Sequence, residues 1–135
     1  MNSNVRNWVA LVGRIALALI FITSGWGKIN NFAGTAGYMA NAGVPMAQLL
    51  LALTIVIELG GGLMLAVGWK ARWAALAFAL WLVPVTLVFH AFWSATPDQV
   101  QMQTINFMKN VSILGGMLMV FAFGPGAFAI ERDKS

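Results

Sequence analysis

The sequence has 135 residues, of which 60% are hydrophobic and only 9% charged, with a mean hydropathy of +0.80. Soluble domains are about 25% charged, so this composition indicates an integral membrane protein. The net charge is +4, but the eight Lys and Arg residues are scattered singly and there is no Cys, which excludes nucleic-acid binding, disulfides and iron–sulfur clusters within this chain.

The first apolar stretch, residues 8–26, follows a short polar start and is interrupted only by Arg14. A charged start before an apolar run also fits a secretory signal peptide. Three further apolar stretches follow, however, and Gly25-Trp26-Gly27-Lys28 is a poor cleavage sequence. We therefore interpret residues 8–26 as the first membrane span.

The second apolar stretch, residues 46–67, contains a single carboxylate, Glu58, just past its middle. A hydrocarbon core about 30 Å thick requires roughly 20 apolar residues at 1.5 Å rise, which this stretch supplies. A carboxylate at that depth costs at least about 2.5 kcal/mol unless it is paired, protonated or hydrated. Three glycines, Gly60 to Gly62, follow directly and would let a neighbouring helix approach closely. This pattern predicts that another helix brings a partner to Glu58.

Two more spans complete the chain, at residues 73–92 and 105–123. The loop before the second span, residues 28–45, is rich in Gly and Asn, yet Phe32, Tyr38 and Met39 make it amphipathic enough for a short interfacial helix. The turn at residues 68–72 is too short for anything but a helical hairpin. We predict an all-α, polytopic four-helix bundle that forms a single transmembrane domain over residues 1–135.

The distribution of cations predicts the orientation of the bundle. If the N-terminus is cytoplasmic, that side of the membrane carries five of them: Arg6, Lys70, Arg72, Arg132 and Lys134. The other side has Lys28, with Lys109 just inside the membrane. The positive-inside rule therefore favours cytoplasmic N- and C-termini.

Arg14 is the predicted partner of Glu58. Arg14 lies six residues into the first span and Glu58 nine residues before the end of the second, roughly 9 Å and 13 Å from the same face at 1.5 Å per residue. A long arginine side chain would close that gap and bury both charges as a pair. The alternative is that Arg14 snorkels to the interface while Glu58 stays protonated. A pair at this site could also do no more than fix helix register.

A second polar group is predicted at the opposite, periplasmic end of the bundle, as a polar mouth formed by Lys28, His90, Asn106, Lys109 and Asn110. The last three recur at i, i+3 and i+4 and so share one helical face. Each has a simpler interpretation: the lysines would contact lipid phosphate, and the asparagines would hydrogen-bond across the bundle. His90 is the only histidine, so no metal site is predicted.

Several residue strings together resemble the DoxX family of small bacterial inner-membrane proteins. These are Gly25-Trp26-Gly27-Lys28, Gly43-Val44-Pro45, Glu58-Leu59-Gly60-Gly61-Gly62, Phe89-His90, Phe107-Met108-Lys109-Asn110 and Gly124-Pro125-Gly126-Ala127. The resemblance extends from about Arg14 to Arg132 and implies a four-helix protein of the bacterial inner membrane. The residues that it carries over, without assigned roles, are Arg14, Lys28, Glu58, His90, Lys109 and Asn110.

For function, the resemblance implies a quinone-linked redox component, because the family takes its name from a small subunit associated with a quinol oxidase and a thiosulfate:quinone oxidoreductase. The chain has no ligand set for haem, iron–sulfur or copper, so we expect no cofactor bound by this chain alone, a quinone as the candidate ligand, and a redox partner protein. The alternative is a non-catalytic membrane protein that binds or passes a small solute or anchors a partner. Gly60–Gly62 and Gly115–Gly116 are candidate surfaces for a homo-oligomer or for packing within the bundle.

Overall fold

The computed structural model describes residues 1–131, so Arg132 and Lys134, which the orientation argument counts, lie outside the described residues. All regular secondary structure in the described part of the chain is helical, and there are no strands in it. Its α-helices are α1 (Ser3–Asn30), α2 (Phe32–Asn41), α3 (Ala47–Ile55), α4 (Gly62–Val67), α5 (Ala71–Phe89) and α6 (Val100–Phe123). A π-helical turn, Val56–Gly61, joins α3 to α4, and a 3₁₀ turn, Phe92–Ser94, follows α5.

Four helical crossings are long and apolar enough to span a membrane, which confirms the four predicted spans. They are Ser3–Asn30, Ala47–Val67, Ala71–Ser94 and Val100–Phe123. The first is longer than predicted at both ends: Asn2 caps its start by accepting a hydrogen bond from the Asn4 backbone N–H (2.9 Å). Its continuation to Asn30 carries Lys28 on the helix rather than in a loop.

The predicted interfacial helix is present as α2. Its Ala36 and Met39 are buried against Leu51 of α3, while Tyr38 remains 59% exposed. Only one face of α2 is therefore packed, as an amphipathic pattern requires.

The core of the bundle lies where α1, α4 and α5 meet. Phe78 is fully buried and its ring stacks on Phe21 with centroids 4.2 Å apart. A Cβ built on Gly61 would lie 3.0 Å from the Phe78 ring, and one on Gly62 would lie 2.8 Å from Ile22 Cγ1. The predicted close approach of a neighbouring helix is thus confirmed at Gly61 and Gly62, which both pack inside the bundle. A Cβ at Gly60 would meet nothing within 4 Å.

After α6 the chain turns back at Gly124 (φ +82°) and forms a C-terminal segment, residues 124–131, across the end of the bundle. The Ile130 N–H donates to Val67 O (3.1 Å), and Trp8 packs edge-on against Phe128 at 5.1 Å. The N-terminal half of α1 and the C-terminal segment therefore lie at one end of the bundle, which we call the terminal end.

Candidate functional site

Glu58 pairs with Lys28, not with Arg14. The Lys28 ammonium donates to Glu58 Oε1 over 2.5 Å, and the side chains are 27% and 2% exposed. The predicted Arg14–Glu58 pair is wrong because the depth of Arg14 was misjudged. Arg14 is level with Ala66 and Gly68. Glu58 lies eight to ten residues from that level, about 12–15 Å at 1.5 Å per residue, beyond the reach of the guanidinium.

Arg14 is itself buried, with 3% of its surface exposed, so its guanidinium is enclosed by the protein and does not reach solvent. Its Nη1 donates to Pro125 O (2.5 Å), and its Nη2 donates to Phe128 O (2.8 Å) and Ala66 O (3.3 Å). The guanidinium therefore holds the C-terminal segment against the end of α4.

The location of Glu58 follows from the π-helical turn in which it lies. A π-turn adds a residue to the helical repeat, which changes the direction in which the following side chains leave the helix, and such turns are frequent at functional sites. Glu58 faces α1 there: the Cβ that a residue at Gly25 would carry lies 3.2 Å from Glu58 Cβ. The absence of a side chain at Gly25 lets the two helices approach closely enough for Lys28, one turn further along α1, to reach the carboxylate.

Lys28 borders a cavity of about 210 Å³ between α1, α2, α3 and α5. The polar groups at its surface come from four different elements, and its walls are largely aromatic. The residues that line it are Lys28, Thr35, Tyr38, Met39, Thr54, Trp81, Val85, Phe89 and His90. Tyr38 stacks on Phe89 with ring centroids 5.8 Å apart, so α2 closes the cavity against α5. We call this space the Lys28 cavity.

His90 ends α5 and contributes to the Lys28 cavity with one ring nitrogen already engaged. Its Nδ1 lies 2.9 Å from Gln103 Oε1 of α6. Because an amide oxygen only accepts, Nδ1 is the donor in this contact, and in that tautomer Nε2 is left as an acceptor.

The remaining residues of the predicted polar mouth lie elsewhere. Asn110 is buried, its Nδ2 donates to Thr86 Oγ1 (3.0 Å), and it lines a separate groove of about 130 Å³ between α5 and α6. Asn106 is half-buried and Lys109 exposed. The structure therefore brings together Lys28 and His90 but not all five residues, because the Asn110 face of α6 packs on α5 while α1, α2 and α3 enclose the cavity.

The sequence did not point to several residues of this site, among them Ser24, Trp81, Tyr38 and Gln103. Ser24 accepts a hydrogen bond from Lys28 Nζ (3.1 Å) and precedes it by one helical turn. Trp81, Val85 and Phe89 recur at four-residue spacing and so share one face of α5. That spacing was a usable signal, whereas Tyr38 and Gln103 meet the site only through the tertiary fold. Among residues 1–131, no three His, Asp or Glu side chains cluster closely enough to hold a metal ion.

Comparison with known proteins gives a consistent result. The family model described as DoxX matches residues 9–91. The chain is 38% identical over 122 residues to the inner membrane protein YphA of Escherichia coli, covering 90% of this chain and 87% of that protein. It is 40% identical over 122 residues to the inner membrane protein YqjF of the same organism, covering 90% and 88%.

More distant similarity extends to eukaryotes. A Surfeit locus protein 4 homolog of Schizosaccharomyces pombe is 24% identical over 133 residues, which covers 97% of this chain but 39% of that protein. No solved structure matches. The comparisons therefore place the chain beside small bacterial proteins of the inner membrane.

Proposed function

The chain belongs to the DoxX family and is a multi-pass protein of the inner membrane, and from that premise we propose that its Lys28 cavity binds the head group of a quinone. The protein would act as a quinone-linked redox component together with a partner protein. The observation that carries the proposal is a charged pair, Lys28–Glu58, whose lysine borders a cavity with Tyr38, Trp81 and Phe89 in its lining.

The chemistry of the cavity fits a ring with two polar oxygens. An ammonium group has three N–H donors, and Lys28 uses two, on Glu58 and Ser24. The third remains for a carbonyl oxygen of the ligand. His90 Nε2 supplies an acceptor for a hydroxyl, and Trp81 and Phe89 supply flat apolar walls for the ring.

A bound quinone would supply the redox chemistry, since its two carbonyl oxygens become hydroxyls when it takes up two electrons and two protons. The residues of this chain would orient the ring and keep a charged donor at membrane depth. The electrons would come from a cofactor on the partner protein, because the sequence has no Cys and one His. This division of labour supports a subunit or accessory protein rather than a complete enzyme.

The test is direct binding of a short-chain quinone to the purified protein in lipid nanodiscs. Lys28→Met removes the free donor, and we expect affinity to fall roughly tenfold, the effect of one hydrogen bond to a charged group. Lys109→Met is the matched control: it removes the same charge from an exposed position outside the cavity lining, and affinity should not change.

His90→Phe provides a second variant that leaves the Lys28–Glu58 pair intact. It should weaken binding of the reduced quinone more than binding of the oxidised form, because only the reduced form donates a hydroxyl. Equal affinities for the wild type, Lys28→Met and His90→Phe would contradict the proposal. The non-catalytic alternative, a protein that binds or passes a small solute or anchors a partner, would then be the better account.

A further inference from the structure

Within residues 1–131, no carboxylate forms an ion pair with Arg14. Its guanidinium donates three hydrogen bonds, all to backbone carbonyls, while its Nε is buried without a hydrogen-bond partner. In residues 1–131 the ion pair of the membrane interior is Lys28–Glu58, which does not involve Arg14. A buried cation without a counter-ion is costly, so an anion held beside it would relieve that cost.

An open groove of about 430 Å³ leads along the bundle to Arg14, between α1 and α6. Its floor is made of small residues, with Gly13 on α1 and Gly116 on α6, and its walls are apolar, with Leu17, Met119 and Phe123. A Cβ at Gly13 would meet nothing within 4 Å, which shows that the groove is open space at that point. The lining is thus apolar apart from one charged residue, Arg14, and we call this surface the Arg14 groove.

The charged end of the Arg14 groove lies at the level where the other helices end. Arg14 contacts Ala66 near the end of α4 and Pro125 just after α6. Helix α5, with 19 residues, starts near this level and is about 29 Å long, close to the thickness of the hydrocarbon core. The guanidinium is therefore near the boundary between acyl chains and head groups, while the apolar part of the groove runs into the acyl region.

We propose that the Arg14 groove binds one anionic phospholipid, with an acyl chain along Gly13, Leu17 and Gly116 and the phosphate at the Arg14 guanidinium. The phosphate of any phospholipid can accept charge-assisted hydrogen bonds from a guanidinium. Charge complementarity favours an anionic lipid over a zwitterionic one, because the ammonium of a zwitterionic head group offsets the attraction of its phosphate to Arg14. The site is separate from the Lys28 cavity, since the two share no lining residue. Its occupancy is therefore independent of the proposed function.

The experiment measures how many lipids the protein retains, by native mass spectrometry after release from nanodiscs of phosphatidylglycerol or of phosphatidylcholine. The wild type should retain one phosphatidylglycerol, and phosphatidylcholine at least roughly tenfold less, because the choline ammonium offsets the attraction of the phosphate to the guanidinium. Gly13→Leu fills the groove and should abolish the difference. Gly115→Leu is the matched control, because Gly115 also meets nothing within 4 Å but faces away from the groove.

Arg14→Gln provides a second measurement that separates charge from shape. It should lower the retention of phosphatidylglycerol to that of phosphatidylcholine without changing the latter. If this variant does not fold, Gly13→Leu still decides the question. Equal retention by Gly13→Leu and Gly115→Leu would overturn the proposal. Displacement of the lipid by millimolar inorganic phosphate would also overturn it, because that result indicates a site for a free ion. So would a disulfide between two copies of a Gly13→Cys variant, because the groove would then be an interface between copies.

Discussion

The side chain of Glu58 has very different surroundings at its two oxygens. Oε1 accepts from Lys28 at 2.5 Å, whereas Oε2 is buried without a hydrogen-bond partner. A buried pair of this kind adds little net stability, because desolvation offsets the attraction, but leaving either charge alone is costly. The net contribution of the intact pair to stability is therefore small, whereas loss of one partner is costly.

This asymmetry predicts the behaviour of single and double substitutions at the pair. Lys28→Met leaves the Glu58 carboxylate buried alone and should lower the free energy of unfolding by up to about 3 kcal/mol. Adding Glu58→Gln to it removes the stranded charge and should restore most of that loss. Thermal unfolding of both variants in one detergent measures the difference. If the double variant is no more stable than Lys28→Met, the pair does not behave as a buried ion pair.

At the scale of elements, the crossing formed by α3, the π-turn and α4 depends on glycine where it meets α5. The Phe78 ring cannot retreat, because it is fully buried and stacked on Phe21. Overpacking a site of this kind costs about 1–3 kcal/mol. The close approach at Gly61 is therefore a requirement of packing rather than of backbone conformation.

Gly61→Ala should accordingly destabilise the protein, because its methyl group would lie 3.0 Å from the Phe78 ring. Gly60→Ala, one residue earlier in the same π-turn, meets nothing within 4 Å and should be neutral. The two melting temperatures, determined side by side, test the packing. Equal effects of the two substitutions would mean that the π-turn itself, and not contact with α5, requires glycine.

The C-terminal segment depends on Arg14 in a comparable way. Three carbonyl groups converge on one guanidinium, and two of them belong to this segment. Without Arg14 the segment keeps the hydrogen bonds from Ile130 and Glu131 to Val67 and Gly68. It should therefore open more often without leaving the bundle permanently.

Arg14→Ala should raise amide hydrogen exchange in residues 125–131 at least tenfold, the equivalent of about 1.4 kcal/mol in local opening, while the core at Phe78 is little affected. Arg6→Ala, which removes an exposed arginine from the same helix, is the control and should not alter exchange. Unchanged exchange in Arg14→Ala would show that the backbone hydrogen bonds hold the segment by themselves.

On the scale of the whole molecule, four crossings place both described ends of the chain on one side of the membrane. The terminal end carries Arg6, Lys70 and Arg72, whereas Lys28 at the other end is committed to Glu58. The cytoplasmic location of the termini remains a prediction from this distribution. It would place the Lys28 cavity towards the periplasmic side.

Because the sequence has no Cys, a single introduced cysteine is the sole thiol, and its labelling measures this orientation. Ser94→Cys, in the exposed 3₁₀ turn after α5, should react with a membrane-impermeant maleimide in intact cells. Ser3→Cys, at the exposed start of α1, should react only after lysis. The reverse labelling pattern would show the opposite orientation, with the Lys28 cavity towards the cytoplasmic side.

Much of the architecture could be read from the sequence, because hydrophobic length and glycine position are local properties. The four spans, the short amphipathic helix α2 and the packing role of Gly61 and Gly62 follow from composition and periodicity. The polar residues Lys28, Glu58 and His90 were also recognised as out of place in a membrane. What the sequence did not contain was their pairing.

Pairing is decided by depth and rotation, which only the assembled bundle determines. The Arg14 guanidinium contacts Ala66 and lies beside Gly68, at the end of α4, which is beyond the reach of Glu58. The C-terminal segment then supplies carbonyls to Arg14, and a π-turn directs Glu58 towards Lys28. The sequence by itself therefore determined that the interior would hold buried charge. The tertiary structure decided which charges meet, because a shift of a few residues along a helix moves a side chain by more than its own length.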